Sequence, residues 1–163
     1  MTTQTIEGAD VSRGRMMIRR ATAEDIPAIV TMAQTFAASP LYAAHVTVSV
    51  PHLTRLIASF LVNEDALALI AARDDGSLVG MIGMLICEHP VSGQRVATEL
   101  AWWVDADTRG VGLGVKLLRA AEAWAAERGA EAMQMGAPTE RVGEFYQAMG
   151  YARVETSYQR RLG

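Results

Sequence analysis

The chain has 163 residues, half of them hydrophobic and 20% charged, which excludes a mostly disordered chain and leaves room for one ordinary domain. Fifteen Lys plus Arg against eighteen Asp plus Glu give a net charge of −3, so composition makes no electrostatic case for a nucleic-acid partner. The single cysteine, Cys87, excludes an intrachain disulfide and a cysteine-rich zinc site, and fits a reducing, cytoplasmic setting.

Residues 1–15 lack the apolar stretch of a signal peptide and read as a polar, flexible tail before one domain over residues 16–163. No apolar run is long enough to span a membrane. Residues 17–20 read as a short strand. Thr22 is a good N-cap, followed by Glu24 and Asp25 where a helix dipole favours acids. Ile26, Ile29, Val30 and Phe36 give a helical stripe that Ser39-Pro40 ends. Residues 41–50 show no clear pattern. Pro51 opens a second helix carrying Leu53, Leu56, Ile57, Phe60 and Leu61.

The pattern changes at Ala66. Residues 66–72 and 78–87 read as two strands joined by an Asp-Gly turn. Residues 95–104 form a third strand. A glycine-rich segment leads into a helix over residues 112–127, closed by Gly129. A short strand (131–136), a helix (139–149) and a strand-like end (151–161) complete the order. Three consecutive strands imply antiparallel pairing, and the strand–helix–strand unit over 95–136 implies one parallel, right-handed crossover. The expected fold class is α/β of the mixed α+β kind, a mostly antiparallel sheet with helices on both faces.

The segment Arg109-Gly110-Val111-Gly112-Leu113-Gly114 carries the chemistry. Glycines lacking Cβ let backbone N–H groups approach an anion closely, and the first N–H groups of the following helix have no intrahelical partners. A diphosphate suits such a turn, and Arg109 and Lys116 can add charge at its ends. The spacing is neither that of a Rossmann turn nor that of a Walker loop. On spacing alone a glycine-rich turn without function is an open alternative.

This segment resembles the Arg/Gln-x-x-Gly-x-Gly/Ala motif of the GNAT superfamily of N-acetyltransferases. Phe145-Tyr146-Gln147-Ala148-Met149-Gly150-Tyr151 is similar to that family's Phe/Leu-Tyr-x-x-x-Gly-Phe/Tyr segment. Residues 18–25 and the Leu78-Val79-Gly80-Met81-Ile82-Gly83 hairpin strand are also similar, so the resemblance spans residues 16–162. Paired Trp102-Trp103 resembles small bacterial and phage-associated members. The resemblance implies acetyl-CoA bound in a splayed gap between two central strands. It implies that Arg109, Gly110, Val111, Gly112, Leu113, Gly114 and Val115 hold the pyrophosphate. It implies that Trp103 and Val104 pair their backbone with pantetheine. Thr139 stands where many members have an asparagine touching the coenzyme.

Acetyl transfer to an amine needs a neutral amine, a hydrogen-bond donor for the developing oxyanion and a proton for the departing thiolate. By resemblance Tyr146 is the acid and a second coenzyme contact; the bland reading is a helix tyrosine packed on the sheet. Glu99, an acid in an otherwise apolar strand, is the candidate base, because burial would raise its pKa. The alternative is a carboxylate on a solvated face or paired with Arg95. Glu99 lies five residues before Val104, an odd separation that turns it to the opposite face unless a bulge intervenes. Glu88 and an ordered water are the reserves. Cys87 and Trp124 read as core residues, and Asp105 and Asp107 as turn residues. His45, His52 and His89 show no metal spacing, so no metal is expected.

The activity this implies is transfer from acetyl-CoA to a primary amine in a ternary complex; the alternative is an acyl-CoA-binding or regulatory domain without catalysis. A nucleotide-binding protein using the glycine loop is a third reading. By the same resemblance the acceptor, whether small molecule, peptide or protein, falls to residues 37–63 and 154–159, with Tyr42, His45, His52, Tyr151 and Tyr158 as candidate lining or, equally, packing residues. The negative charge favours a cationic amine over nucleic acid. A homodimer through the final strand is a further expectation.

Overall fold

The structure, a computed structural model, describes residues 16–110, 112–160 and 162. The tail expected over residues 1–15 lies outside the described residues, as do Val111, Arg161 and Gly163. The strands are β1 (Met16–Arg20), β2 (Ala66–Arg73), β3 (Leu78–Glu88), β4 (Arg95–Val104) and β5 (Ala132–Gln134). The helices are α1 (Ile26–Ala37), α2 (Val50–Val62), α3 (Leu113–Glu127) and α4 (Glu140–Ala148). The sheet order is β1-β2-β3-β4-β5, antiparallel throughout except for the parallel β4–β5 pair. This is the mixed, mostly antiparallel sheet that the pattern predicts.

β2 shows why its sequence is apolar without alternation. Leu67, Leu69 and Ala71 pack toward α3, among Leu117, Ala121 and Trp124. Ala68 and Ile70 pack the other way, with Ile29, Val30 and Ile57 of α1 and α2. A strand covered on both faces loses the period-two signature. The parallel return from β4 to β5 runs through α3, whose Leu117 and Leu118 are fully buried.

Two expectations are corrected. Residues 151–160 form no strand. Val154 and Tyr158 are 78% and 94% exposed, so no packed surface rewards their β propensity. Cys87 is exposed, not core. Its neighbour Ile86 belongs to the α3-side core, so Cys87 points to the opposite face, near the end of β3 and clear of helix cover.

Asp25 ties β1 to the start of α1. Arg19 donates from both terminal nitrogens to its two oxygens, at 2.7 and 2.8 Å. The Thr22 backbone N–H and hydroxyl also donate to Oδ2, at 2.7 and 3.0 Å. The Arg19 guanidinium is the main reason the Asp25 carboxyl is lowered from 3.8 to about 2, against an opposing effect of burial. A depressed carboxylate stabilises the fold above its unfolded value. That contribution fades as pH falls from about 4 through about 2. Asp25→Ala is expected to cost about 2 kcal/mol in urea unfolding at neutral pH, with the gap to wild type shrinking below pH 3. An equal gap at pH 7 and pH 2 would show that the charge does not matter.

Candidate active site

β4 and β5 part company inside the sheet. Their parallel register covers Val96↔Ala132, Ala97↔Met133 and Thr98↔Gln134 and then stops. β4 continues to Val104 with β3 alone as its ladder partner. Just past Thr98, β4 also carries one residue too many for β3. Met84 pairs with Glu99 and Gly83 with Ala101, which leaves Leu100 as a bulge, 49% exposed. A bulge bends its strand and increases its twist, so β4 swings away from β5 where the ladder ends.

The bulge also settles which way Glu99 faces. Trp102 and Val104 pack toward α3, and so does Met84, the partner of Glu99. The odd separation of Glu99 and Val104 is cancelled by the extra residue, and both side chains take the α3 face. Ala101 and Trp103 take the other face, beside α1 and α2.

At the opening of the gap, Glu99 Oε2 accepts two hydrogen bonds. One comes from the Gly136 backbone N–H at 3.1 Å, the other from the Tyr146 hydroxyl at 3.4 Å. Burial raises the Glu99 pKa above the usual carboxylate range, partly countered by these two donors. Tyr146 is itself buried, with its ring 6.0 Å from Trp102 and 5.5 Å from Tyr151. Burial and then the Glu99 charge push its hydroxyl well above the ordinary phenol value. Tyr42, from the α1–α2 connection, is also raised, by burial first and the Glu99 charge second. The segment after β5 and helix α4 therefore bring two donors to one carboxylate.

The glycine turn lies at the far end of β4. Gly110 and Gly112 have φ of 87° and 77°, a left-handed backbone that side chains resist. Gly112 is the N-cap of α3, and the Lys116 N–H to Gly112 carbonyl bond of 3.0 Å opens the helix. The N–H groups of Leu113, Gly114 and Val115 precede that bond and have no partner within the helix. A Cβ on Gly110 or Gly112 would meet nothing within 4 Å, so the turn is open to approach. A Cβ on Gly114 would lie 3.2 Å from Cζ2 of Trp102, whose buried Nε1 has no protein partner. Open glycines and N–H groups without helix partners fit a ligand bearing a diphosphate.

The other candidates sit as follows. Arg109 Nε donates to the Val104 carbonyl at 3.0 Å, and its guanidinium lies 4.8 Å from the Trp103 ring centroid. Lys116 is exposed on the first turn of α3. Thr139 is the N-cap of α4, its hydroxyl accepting from the Val142 N–H at 3.4 Å. Glu88 is exposed at the end of β3, opposite Arg95. Asp105 accepts from Trp103 Nε1 and Asp107 pairs with Arg73, which suits turn residues. Trp124 is core. Among the described residues no group of side chains could hold a metal ion, and no helix is long and apolar enough to cross a membrane. The Gly136 N–H was not foreseen, since a backbone donor leaves no mark in side-chain chemistry.

Deleting Leu100 gives a sharp test of the bulge. Glu99 would then lie four residues before Val104, an even separation, so its face is unchanged. The strand straightens, and the affinity for acetyl-CoA that the family resemblance implies, read by calorimetry, is expected to fall about tenfold with the fold retained by circular dichroism. Unchanged affinity would show that the bulge does not set the gap.

Comparison with known proteins agrees with this geometry. The sequence profile described as Acetyltransferase (GNAT) family matches residues 32–151. No protein of curated function matches the chain by sequence. Among solved structures, the fold is similar to a Trypanosoma brucei acetyltransferase, at TM-score 0.73 and 18% identity over 91% of this chain and 100% of that one. It is similar to glucosamine-6-phosphate N-acetyltransferase from Arabidopsis thaliana, at TM-score 0.74 and 12% identity over 91% and 99%. It is also similar to ribosomal-protein-alanine N-acetyltransferase from Brucella melitensis biovar Abortus 2308, at TM-score 0.69 and 23% identity over 90% and 99%. With its fold shared by these enzymes and its sequence matched across most of its length, the chain belongs to the GNAT family of acetyltransferases.

Proposed function

We propose that the protein, as one domain over residues 16–163, transfers the acetyl group of acetyl-CoA to a primary amine by direct attack in a ternary complex. The contact of Tyr146 and Gly136 with Glu99 at the opening of the β4–β5 gap carries this reading. The gap edge at Trp103 and Val104 pairs with pantetheine, and residues 109–115 hold the pyrophosphate, with the N–H groups of Leu113, Gly114 and Val115 as donors. Thr139 adds a hydroxyl at the start of α4.

Acetyl-CoA supplies an activated acetyl thioester. Glu99, ionised, accepts a proton from the attacking amine as the C–N bond forms. Tyr146, held protonated by its surroundings, donates its hydroxyl proton to the departing sulfur as the C–S bond breaks. Glu99 then returns its proton to the Tyr146 oxygen across the contact they share. One proton has moved from amine to thiol, and both side chains are restored. The base and the acid thus work as one relay inside a site partly closed to water.

Glu99→Gln and Tyr146→Phe are each expected to lower kcat roughly a hundredfold in a thiol-release assay. The double variant falls little further, because a relay broken once is already broken. A raised Glu99 pKa means kcat/KM falls as pH drops through a value above the ordinary carboxylate range, and Glu99→Gln removes that limb. The raised Tyr146 pKa adds no alkaline loss near neutrality. Full turnover by both single variants would sink the assignment.

A further inference from the structure

Gly114 differs from the two glycines before it. Gly110 and Gly112 have the left-handed backbone that favours glycine, and Gly114 does not. It lies inside the first turn of α3, where alanine is the better helix former. Its N–H would be present with any side chain except that of proline. What the position lacks is room for a Cβ, which would lie 3.2 Å from Cζ2 and 3.8 Å from Cε2 of Trp102. That ring has little freedom to yield. Its Nε1 is buried, and the rings of Phe145 and Tyr146 in α4 lie 6.1 and 6.0 Å from it. Trp102 thus stands between the first turn of α3 and Tyr146.

A second contact ties Tyr146 to the same helix. The Tyr151 ring lies 5.5 Å from that of Tyr146, and the Tyr151 N–H donates to the Tyr146 carbonyl at 2.9 Å. The Tyr151 hydroxyl in turn donates to Glu122 of α3 at 2.8 Å, and Arg119, one turn earlier, donates to Glu122 at 2.7 Å. Tyr146 is therefore referenced to α3 at two points. Its own bond to Glu99, at 3.4 Å, is a weak restraint. We propose that Trp102 and Tyr151 are positioning residues that fix the Tyr146 hydroxyl relative to α3, and that Gly114 is small to admit the Trp102 ring, not the ligand. This rests on the reading of Tyr146 as the acid and adds what aims it. A proton donor must be held closely in place to meet the departing sulfur, and α3 also carries the N–H groups assigned to the diphosphate.

The test uses the full chain and reads thiol release from saturating acetyl-CoA with hydroxylamine, a nucleophile small enough to need no acceptor pocket, after subtracting the rate without enzyme. Calorimetry gives the acetyl-CoA Kd, and circular dichroism checks the fold. Gly114→Ala is expected to lower kcat about tenfold and to change Kd less than about threefold, because the methyl group pushes Trp102 onto Tyr146. Trp102→Phe alone, which withdraws support from Tyr146, is expected to lose about as much. The Gly114→Ala/Trp102→Phe pair should exceed either single variant about threefold, since the smaller ring makes room for the methyl group. At the second tether, Glu122→Ala should lower kcat about threefold, and Glu122→Gln, which still accepts from Tyr151, should restore most of it. In a Tyr146→Phe background none of these changes should lower turnover further. A weaker Kd for Gly114→Ala with kcat intact overturns the proposal and assigns the glycine to the diphosphate. A pair no better than the single variants, or equal losses in the Tyr146→Phe background, also overturns it. Full turnover by Tyr146→Phe, or no thiol release by the unaltered protein, overturns the acid assignment and this proposal with it.

Discussion

Between Glu99 and Ala101, β4 has one residue more than β3 can pair. Most of what the site does depends on that mismatch. The pairing of β4 with β5 ends at Thr98, two residues before the extra one, and the two strands separate from there. A regular parallel pair would fill this space with its own ladder. With the ladder interrupted, the far half of β4 keeps a free backbone edge in the middle of an otherwise well-packed sheet. The same residue reverses the parity of the strand, so that an acid and a valine five positions apart share a face.

The electrostatics follow from this geometry. A carboxylate facing into the sheet loses hydration, and Glu99 recovers part of it from the Gly136 N–H and the Tyr146 hydroxyl. The recovery is incomplete, which is why burial still dominates its titration. Tyr146 responds in the same sense and further. A phenolate next to a buried carboxylate is doubly disfavoured, so the hydroxyl keeps its proton. The Tyr146 acid stays loaded, and the raised Glu99 pKa makes the carboxylate a stronger proton acceptor when ionised. Tyr151 is set apart from this pair because its hydroxyl donates to Glu122 of α3 at 2.8 Å, which ties the end of α4 to the opposite helix.

Much of the architecture could be read from residue order. β4 spans residues 95–104 as its apolar run predicts, and α3 begins one residue after its glycine cap. The Ala66 run, the Asp-Gly hairpin and the Pro51 helix start lie where local chemistry puts them. The errors share a cause. Cys87 is a core-type residue in an apolar strand, and residues 151–160 carry strand formers such as Val154 and Tyr158, yet residue type does not reveal whether another layer covers them. The candidate site was read with the same strengths and weaknesses. Glu99 and Tyr146 stood out by residue type and motif, but their contact spans 47 positions, and Gly136 had no side chain to announce it.

The sequence alone determined every element but the last, the glycine turn at the start of α3 and the family resemblance, because helix caps, turn residues and period are local properties of the chain. Tertiary structure decided which face Glu99 takes and that Tyr146 meets it. These depend on pairing between strands and packing between layers. A single unpaired residue changes the register of everything beyond it, and no local pattern around Leu100 distinguishes a bulge from a regular strand position.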